Sequence, residues 1–316
     1  MLRLPEAWVW DFWTVDDGEK YHLFFLYASR ALKDPDARHY RASVGHAVSD
    51  DLVSWERVTD ALVRSDAPAF DDLATWTGSI VQHPDGTWFM FYTGATLTPA
   101  GNVQSIGAAT STDLNTWEKL PGPILVADPR WYEKLADGMW HDEAFRDPWV
   151  LADPDGNGWH MLITARANHG PRDDRGVVGH AWSPDLRTWE LRPPLSEPGQ
   201  GFGQLEVMQT VEIDGRPLLV FNCLAGDVSA TRLATGTTGG VWVADGGPLG
   251  PYDIAGAQQL TANDLYVGKL IQLRGTSEHV LLAFRNMDTS GAFVGEIIDP
   301  VPVSLRGDRL VLGADG

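Results

Sequence analysis

The sequence has little positive charge and a single cysteine. Lys and Arg number 24 against 43 Asp and Glu, which gives a formal net charge of −19 at pH 7. A field of this sign repels phosphate backbones and anionic lipid surfaces, so we expect neither a nucleic-acid partner nor a membrane partner. Cys223 alone excludes an intrachain disulfide, and its setting in PLLVFNCLA predicts a small side chain in a buried strand.

Long apolar runs and helical periodicity are also lacking. No apolar run approaches the roughly 18 residues that a membrane-spanning helix needs, and Met1 to Glu6 is too short for a signal peptide ahead of Trp8. For the chain as printed, unless a leader has been removed from it, these features predict a cytoplasmic protein. What the sequence does contain is 14 Trp, 33 Gly and 20 Pro, a composition that favours short strands joined by tight turns.

One unit repeats along the chain. The string S-x-D-L-x-x-W occurs at Ser49 to Trp55, Ser111 to Trp117 and Ser183 to Trp189, and a degraded copy covers Val241 to Tyr252. A second series consists of five apolar strands, which begin at Tyr21, Trp88, Trp159, Pro217 and His279. Their spacing of roughly 60 to 70 residues suits one four-stranded sheet with its loops for each repeat.

Five such sheets are most simply closed into a ring. We therefore predict an all-β fold, a five-bladed β-propeller that forms a single domain over residues 1–316, without a C-terminal β-sandwich. The competing arrangement is a pair of packed β-sheets, which would not give so regular a period. The recurring Trp55, Trp117 and Trp189 are expected to pack between sheets.

Carboxylates recur at one phase of the repeat. The first strand of each propeller blade lines the central channel, and the residues 10 to 13 positions before the apolar strands should lie on it. These residues are Asp11, Trp76, Asp147, Glu206 and Tyr266. A carboxylate in an apolar wall is costly unless it is paired or used. A structural hydrogen-bonding role is the alternative, but three acids at one phase predict a site, either for a metal or for chemistry on a sugar.

Features of a metal site are not found among these residues. No dense D-x-D-x-D loop is present and no His lies at the corresponding phase. We expect no metal and no cofactor, and a small neutral saccharide as the substrate.

Several motifs resemble those of the fructosyl-processing glycoside hydrolases, families 32 and 68. VWDFW from Val9 resembles the nucleophile motif of levansucrases, FRDPW from Phe145 matches the RDP motif of both families, and WTGS from Trp76 resembles their W/F-S-G-S segment. FYTG from Phe91 and the S-x-D-L-x-x-W strings are typical of family 32. The resemblance runs from about Val9 to about Leu312. It departs from the pattern in QLEVMQ around Glu206, which is neither E-C-P nor D-E-I-E-R, and in the missing C-terminal β-sandwich.

The resemblance implies a retaining mechanism with assigned residues. Asp11 would be the nucleophile that forms a covalent fructosyl-enzyme, Glu206 the acid and base, and Asp147 the stabiliser of the transition state. Arg146 would lie beside Asp147, and Trp10 and Trp76 would form the walls of the sugar subsite. The remaining candidates for substrate contact are Ser79, Tyr266 and His141, the last of which has a solvated loop as its alternative.

Electrostatics supports a division of roles between two acids. Carboxylates about 5 Å apart, the separation of a retaining pair, repel by roughly 3 kcal/mol at an effective dielectric near 20. One pKa should therefore rise, although the residues alone do not say which. The resulting hypothesis is a retaining β-fructofuranosidase or fructosyltransferase that acts on sucrose or short β-fructosides. Two alternatives remain at this point: an inverting propeller of the arabinofuranosidase or xylosidase type, and a sugar-binding propeller without catalysis.

Overall fold

The computed structural model describes residues 1–313 and is built almost entirely of antiparallel β-sheets. The first sheet contains β1 to β4 (Ala7–Asp16, Tyr21–Ser29, Ser43–Ser49, Glu56–Arg57). The second contains β5 to β8 (Ala74–Gln82, Trp88–Thr98, Gly101–Ser111, Glu118–Lys119) and the short β9 (Asp142–Glu143), which runs parallel to β7. The third contains β10 to β13 (Phe145–Ala152, Trp159–Arg166, Gly176–Ser183, Glu190–Arg192).

The last two sheets complete the set. The fourth contains β14 to β17 (Glu206–Ile213, Arg216–Cys223, Gly240–Asp245, Gln258–Gln259). The fifth contains β18 to β22 (Leu265–Gln272, His279–Met287, Phe293–Ile297, Val301–Arg306, Arg309–Leu312), and both β20 and β21 pair with β19. Helical segments in residues 1–313 are short: four 3-10 turns (Arg30–Leu32, Asp36–Arg41, Leu135–Asp137, Ala225–Asp227) and one α-helix (Ala230–Leu233). Within residues 1–313, none of these is long and apolar enough to cross a membrane.

The innermost strands close a ring. β1 packs against β5, β5 against β10, β10 against β14, β14 against β18, and β18 against β1. The five apolar strands of the sequence repeat are the second strands of the five sheets, and the fourth begins one residue before Pro217. The predicted five-bladed β-propeller is therefore confirmed. The N-terminal segment reinforces the closure, because Leu2 and Ile297 exchange backbone hydrogen bonds of 2.9 and 3.0 Å.

The S-x-D-L-x-x-W strings form tight turns at the outer side of three blades. In each turn the leucine has a left-handed backbone, with φ of 62° at Leu52, 62° at Leu114 and 61° at Leu186. The aspartate before it accepts backbone N–H groups, as Asp113 does from Asn115 and Thr116 at 2.8 Å. These hydrogen bonds hold the turn in a conformation that a leucine rarely adopts.

The tryptophans of these strings lie between sheets, as predicted. Trp117 of the second blade meets Phe24 of the first edge-to-face, with ring centroids 5.8 Å apart. Trp189 of the third blade meets Phe91 of the second in the same way at 5.2 Å. Trp55 packs against the hydrophobic core around β1 and β2. Cys223 is fully buried, which confirms its predicted place in the core.

Candidate active site

Each innermost strand is interrupted by a β-bulge near its beginning. The pairing with the second strand slips between Val9 and Phe12, Trp76 and Gly78, Arg146 and Trp149, Glu206 and Gln209, and Tyr266 and Lys269. In the last three blades one bulge residue has a positive φ: Asp147 at 54°, Val207 at 48° and Val267 at 51°. Such a backbone is strained for a β-branched residue, and strain of this kind is common where a strand redirects its side chains.

Side chains of the preceding blade hold these bulges. The amide of Asp147 donates to Thr93 Oγ1 at 2.9 Å, and that of Val207 donates to Thr164 Oγ1 at 3.3 Å. In the fifth blade, the amide of Gly268 donates to Asn222 Oδ1 at 3.0 Å. The same type of hydrogen bond therefore recurs in three blades and connects the bulge of each to a side chain of the blade before it.

The register corrects the expectation that the acids share one phase. Arg146, Glu206 and Tyr266 occupy the same step, immediately before the bulge. Asp147 is the first residue inside the bulge of β10, one position after Arg146. Asp11 is the second residue inside the bulge of β1, two positions after Val9. The three acids thus come from three successive positions, and the bulges turn all of them toward one cavity.

That cavity is lined by residues of the bulges on the innermost strands. It measures about 400 Å³, within the usual range of small-ligand sites, and its lining includes all three predicted acids, Asp11, Asp147 and Glu206. Five of the other candidates line it too: Trp10, Trp76, Arg146, Tyr266 and His141. The structure therefore brings together eight of the nine residues selected from the sequence.

Asp11 lies at the cavity wall beside Thr77. The hydroxyl of Thr77 donates to Asp11 Oδ2. Burial raises the pKa of Asp11 to about 6, and the charge of Glu206 adds to the rise, while Thr77, Arg38 and Arg146 oppose it. Asp11 is therefore a carboxylate that takes up a proton only slightly below neutral pH.

Asp147 is almost fully enclosed. Its Oδ2 accepts hydrogen bonds from Thr164 Oγ1 at 3.0 Å and from the Val207 amide at 3.4 Å, and lies 3.4 Å from Arg146 Nε. Burial raises the pKa of Asp147 to about 7; Arg146 opposes this rise, and Asp11 and Glu206 reinforce it. The position of its carboxylate is thus set by three donors from different elements.

Glu206 is held by two donors at once. Arg146 Nη2 donates to Oε1, and the Tyr266 hydroxyl donates to Oε2. Burial, followed by the charge of Glu206, raises the pKa of Tyr266 well above its usual range, so the phenol keeps its proton. Both oxygens of Glu206 are therefore oriented before a substrate arrives.

Arg146 is positioned by two glutamines that the sequence analysis missed. Its guanidinium donates to Gln104 Oε1 at 3.2 Å and to Gln204 Oε1 at 2.5 Å. The amide nitrogens of these glutamines donate in turn to Asp142 at 2.7 Å and to Asp227 at 3.2 Å. Since an acid can only accept from the NH₂ end, each acid turns the glutamine oxygen toward Arg146. The one sequence signal for this was the unusual QLE context, which contains Gln204.

The aromatic walls meet a 3-10 turn that the sequence analysis also missed. Trp76 Nε1 donates to the backbone oxygen of His39 at 2.7 Å, and Trp10 and Trp76 both meet the His39 ring edge-on at 6.3 Å. Burial and the charge of Arg38 lower the pKa of His39 to about 3, so its imidazole is neutral. Arg38, His39 and Tyr40 all line the cavity, although nothing in the repeat pattern marked the segment.

Lys269 is a buried lysine near Asp147 and Asp11. Its Nζ donates to the backbone oxygens of Val207 at 3.2 Å and Met208 at 3.1 Å, and lies 5.0 Å from the Trp149 ring centroid. Burial lowers the pKa of Lys269 to about 7, against the charges of Asp147 and Asp11. It caps the carbonyls of the bulge that follows Glu206.

Ser79 is the candidate that the structure places elsewhere. Its side chain is 2% exposed and outside the cavity lining, and its hydroxyl accepts the Val150 amide at 3.1 Å. Ser79 therefore joins the second sheet to the third, which corrects its selection as a substrate contact. The glycine of the same motif is also required by packing, because a Cβ at Gly78 would lie 2.1 Å from the Phe91 carbonyl oxygen.

Some residues near the rim of the cavity line it, and others form salt bridges within the fold. The His141 side chain is 71% exposed at the cavity edge, 3.9 Å from Asp142. Glu143 points away from it, toward Lys134 and the amide of Leu135. Arg285 forms a salt bridge with Glu296 at 3.2 Å. Within residues 1–313, no group of three or more His, Cys, Asp or Glu is arranged to hold a metal ion.

Comparison with known proteins identifies relatives of this arrangement. The family model "Glycosyl hydrolases family 32 N-terminal domain" matches residues 13–263. Acid beta-fructofuranosidase 4, vacuolar, from Arabidopsis thaliana is 33% identical over 153 residues, which cover 47% of this chain and 20% of the plant protein. The extracellular sucrase of Zymomonas mobilis is 24% identical over 351 aligned positions, which cover 95% of this chain and 79% of the sucrase.

A solved structure shows the same fold. The inulosucrase from Halalkalicoccus jeotgali bound to kestose superimposes with a TM-score of 0.80 over 99% of this chain and 90% of that one, at 22% sequence identity. The resemblance inferred from VWDFW and FRDPW is thereby confirmed at the level of family and fold. Since the family match extends over more than half of the 316 residues, the chain belongs to glycosyl hydrolase family 32.

Proposed function

We propose that this protein is a retaining fructosyl hydrolase or fructosyltransferase whose substrates are sucrose or short β-fructosides. The observation that carries the proposal is the convergence of Asp11, Asp147 and Glu206 in one cavity of about 400 Å³. Family membership supports the reaction type, and the names of the relatives, a fructofuranosidase, a sucrase and an inulosucrase bound to kestose, support the sugar.

The first half of the reaction uses Asp11 and Glu206. Thr77 occupies Oδ2 of Asp11, so we assign Oδ1 to attack the anomeric carbon of the fructosyl ring. Glu206 must enter this step as the carboxylic acid, in place of the carboxylate that accepts from Arg146 and Tyr266. As the bond from Asp11 forms, the bond to the leaving oxygen breaks, and the protonated Glu206 gives this oxygen its proton. The product is a fructosyl ester of Asp11, and Glu206 is left as a carboxylate.

The second half runs through the same atoms in reverse. A water molecule or an acceptor hydroxyl transfers its proton to Glu206 while its oxygen displaces Asp11 from the anomeric carbon. Two displacements restore the original anomeric configuration and return both acids to their starting state. Whether the protein hydrolyses or transfers then depends on which hydroxyl compound occupies the outer part of the cavity.

Asp147 stabilises the positive charge that develops on the sugar ring. Its carboxylate is preorganised by Thr164, Val207 and Arg146, so little reorganisation is needed as that charge appears. The neighbouring Trp10 and Trp76 present apolar faces to the carbon side of the ring. The pocket thus pairs polar groups for the hydroxyls with aromatic walls for the carbons.

The test is turnover of sucrose, 1-kestose, inulin and levan, with the anomers of the first-formed product followed by NMR. We expect retention of configuration by the wild type and loss of turnover in Asp11→Asn with unchanged folding. Asp50→Asn is the matched control, because this acid lies on the surface and pairs only with Lys20 among the described residues. Inversion of configuration, or an undiminished rate in Asp11→Asn, would contradict the proposal; binding of sugars without turnover would indicate a sugar-binding propeller.

A further inference from the structure

Arg38 is a buried cation in the wall of the catalytic cavity. It belongs to the 3-10 turn Asp36–Arg41, which lies between β2 and β3, and is 8% exposed. Its guanidinium carbon lies 3.7 Å from the centroid of the Phe293 ring and 5.6 Å from that of Trp10. Both aromatic residues flank the cation, so the edges of the guanidinium are what it can offer to another group.

One edge of Arg38 is occupied and the other is free. Nη1 donates to the Pro35 backbone oxygen at 2.8 Å and lies 3.6 Å from the exposed Asp36 carboxylate. Nε is fully buried and has no hydrogen-bond acceptor among residues 1–313. A buried donor without an acceptor is unfavourable, and in a binding cavity the missing acceptor is commonly a ligand atom.

Arg38 lines the same cavity as the nucleophile. Arg38 and Asp11 both line it, and the charge of Arg38 lowers the pKa of Asp11. A sugar whose anomeric carbon is beside Asp11 therefore places its ring substituents within the surroundings of Arg38. The Nε and Nη2 hydrogens of an arginine point the same way and can bind two oxygens at once.

The local charge decides which oxygens fit. Four carboxylates line the cavity (Asp11, Asp142, Asp147 and Glu206) against two guanidinium groups, Arg38 and Arg146. An anionic substituent would meet this excess of negative charge, whereas a pair of hydroxyls accepts the two N–H groups without adding charge. The cavity therefore favours neutral ring hydroxyls over a phosphate or carboxylate.

We propose that Arg38 is a substrate-binding residue, whose guanidinium group binds hydroxyl oxygens of the sugar ring attacked by Asp11. The inference rests on the function proposed above and adds a contact to it. Arg38 acts in two ways: it fixes the orientation of the ring, and its charge keeps Asp11 ionised for attack. Its partners Trp10 and Phe293 hold the guanidinium in place, which also joins the first blade to the fifth.

The variant Arg38→Met tests the contact while keeping an unbranched side chain between Trp10 and Phe293. Arg41→Met is the matched control, since it makes the same change in the same turn at an exposed residue outside the cavity. We expect kcat/KM to fall about 10- to 100-fold in Arg38→Met, in line with the loss of hydrogen bonds from a charged donor, and to change little in Arg41→Met. Equal kinetics in the two variants would overturn the inference.

The pH profile separates binding from simple misfolding. The charged groups that act on Asp11 come from several elements: Arg38 from the turn, Arg146 from β10, Glu206 from β14, Asp147 from β10 and Lys269 from β18. Removal of Arg38 takes away one of the cations, so the acid limb of kcat/KM should move to higher pH. Arg38→Lys should restore the limb but not the affinity, because an ammonium group lacks the planar fork. An unchanged limb in Arg38→Met would count against the second role.

Calorimetry with free sugars distinguishes failure of this inference from failure of the proposed function. If the wild type binds fructose but turns nothing over, the function fails, and weaker fructose binding by Arg38→Met alone would still support the contact. If the wild type neither binds nor reacts, both fail. Tighter binding of fructose 6-phosphate than of fructose, lost in Arg38→Met, would overturn the assignment to neutral hydroxyls.

Discussion

Aspartates occur in two rings of this propeller, an outer one in the turns and an inner one at the channel, and they behave in opposite ways. In the outer turns, the amides of Ser54 and Val53 lower the pKa of Asp51 to about 2. At the channel, burial raises the pKa of Asp11 to about 6 and that of Asp147 to about 7. The outer acids are exposed and satisfied by backbone donors, whereas the inner acids are enclosed together.

The contrast shows how a repeat separates structure from chemistry. An acid that recurs with the same neighbours in three blades closes a turn and stabilises the ionised carboxylate locally. An acid found in one blade only, at a bulge, is kept where its ionised form is unfavourable. Such a position persists only if other parts of the fold stabilise it, and that makes the inner ring the place to look for reactivity.

Among the variants that compare the two rings, the largest effect is expected from the proposed acid and base. Glu206→Gln should lower kcat on sucrose by about 10²- to 10⁴-fold, since proton transfer to the leaving oxygen is lost. Asp113→Asn, in an outer turn, should leave kcat within about twofold because Asp113 only accepts backbone N–H groups there. Initial-rate kinetics on both variants checks the comparison, and similar losses in the two would break it.

The two rings should also differ in the sign of their effect on stability. Asp147 has an ordinary pKa of 3.8 that the fold raises to about 7. The folded chain therefore binds its proton more tightly than the unfolded chain, so the stability that it contributes is full below pH 3.8 and is lost as pH rises through 7. At pH 8 the ionised group is a net cost, and Asp147→Asn should raise the free energy of unfolding by about 2 kcal/mol or more.

Denaturant unfolding at pH 8 and pH 4 measures this difference. The increase in the free energy of unfolding caused by Asp147→Asn should be present at pH 8 and vanish near pH 4. Asp113→Asn should show the reverse sign at pH 8, because the amide of Thr116, then that of Asn115, lowers the pKa of Asp113. A loss of stability in Asp147→Asn at pH 8 would argue that the inner acids are structural.

The acid limb of activity should report both inner aspartates, since burial raises the pKa of Asp147 to about 7 and that of Asp11 to about 6. With its pKa raised to about 6, the nucleophile protonates below that pH, and kcat/KM should fall about tenfold for each further unit. Thr77→Val removes the hydroxyl that lowers this pKa, so the limb should move to higher pH. The measurement is kcat/KM as a function of pH for the wild type and for Thr77→Val. An acid limb at the same pH in both proteins would show that a group other than Asp11 controls it.

The smallest effect is expected at Ser79. Ser79→Ala removes the acceptor of the Val150 amide and should lower stability by about 1 kcal/mol. Its kcat/KM should stay within about twofold, because the side chain lies outside the cavity. Thermal unfolding together with kinetics distinguishes this from a substrate contact, for which activity would fall and stability would not.

The parts of the fold that repeat were predictable, and the parts that depend on bulges or loops were not. Apolar strands at a steady interval predicted five blades, since each sheet needs the same length of chain. The acids were found, but their shared phase was wrong, because Glu206 lies immediately before its bulge whereas Asp147 and Asp11 lie inside theirs. Ser79 was selected only as part of the WTGS motif, and the motif did not show that its side chain lies outside the cavity lining.

Residues outside the repeat left almost no trace in the sequence. Arg38 lies in a turn between β2 and β3, and Asp227 in the 3-10 turn after β15, so neither has a counterpart at a regular interval. Gln104 and Lys269 are on strands β7 and β18, and the repeat pattern did not single them out. Their roles follow from contacts between different blades, which only the closed ring brings about.

The central claim is that the inner acids work as one unit with Asp11 as the nucleophile. The most direct measurement is peptide mapping by mass spectrometry of Glu206→Gln mixed with a fructoside whose leaving group needs no protonation. With its base removed, this variant should accumulate a fructosyl group on the peptide that contains Asp11. Product release without any labelled peptide, or a label on a different residue, would contradict the account.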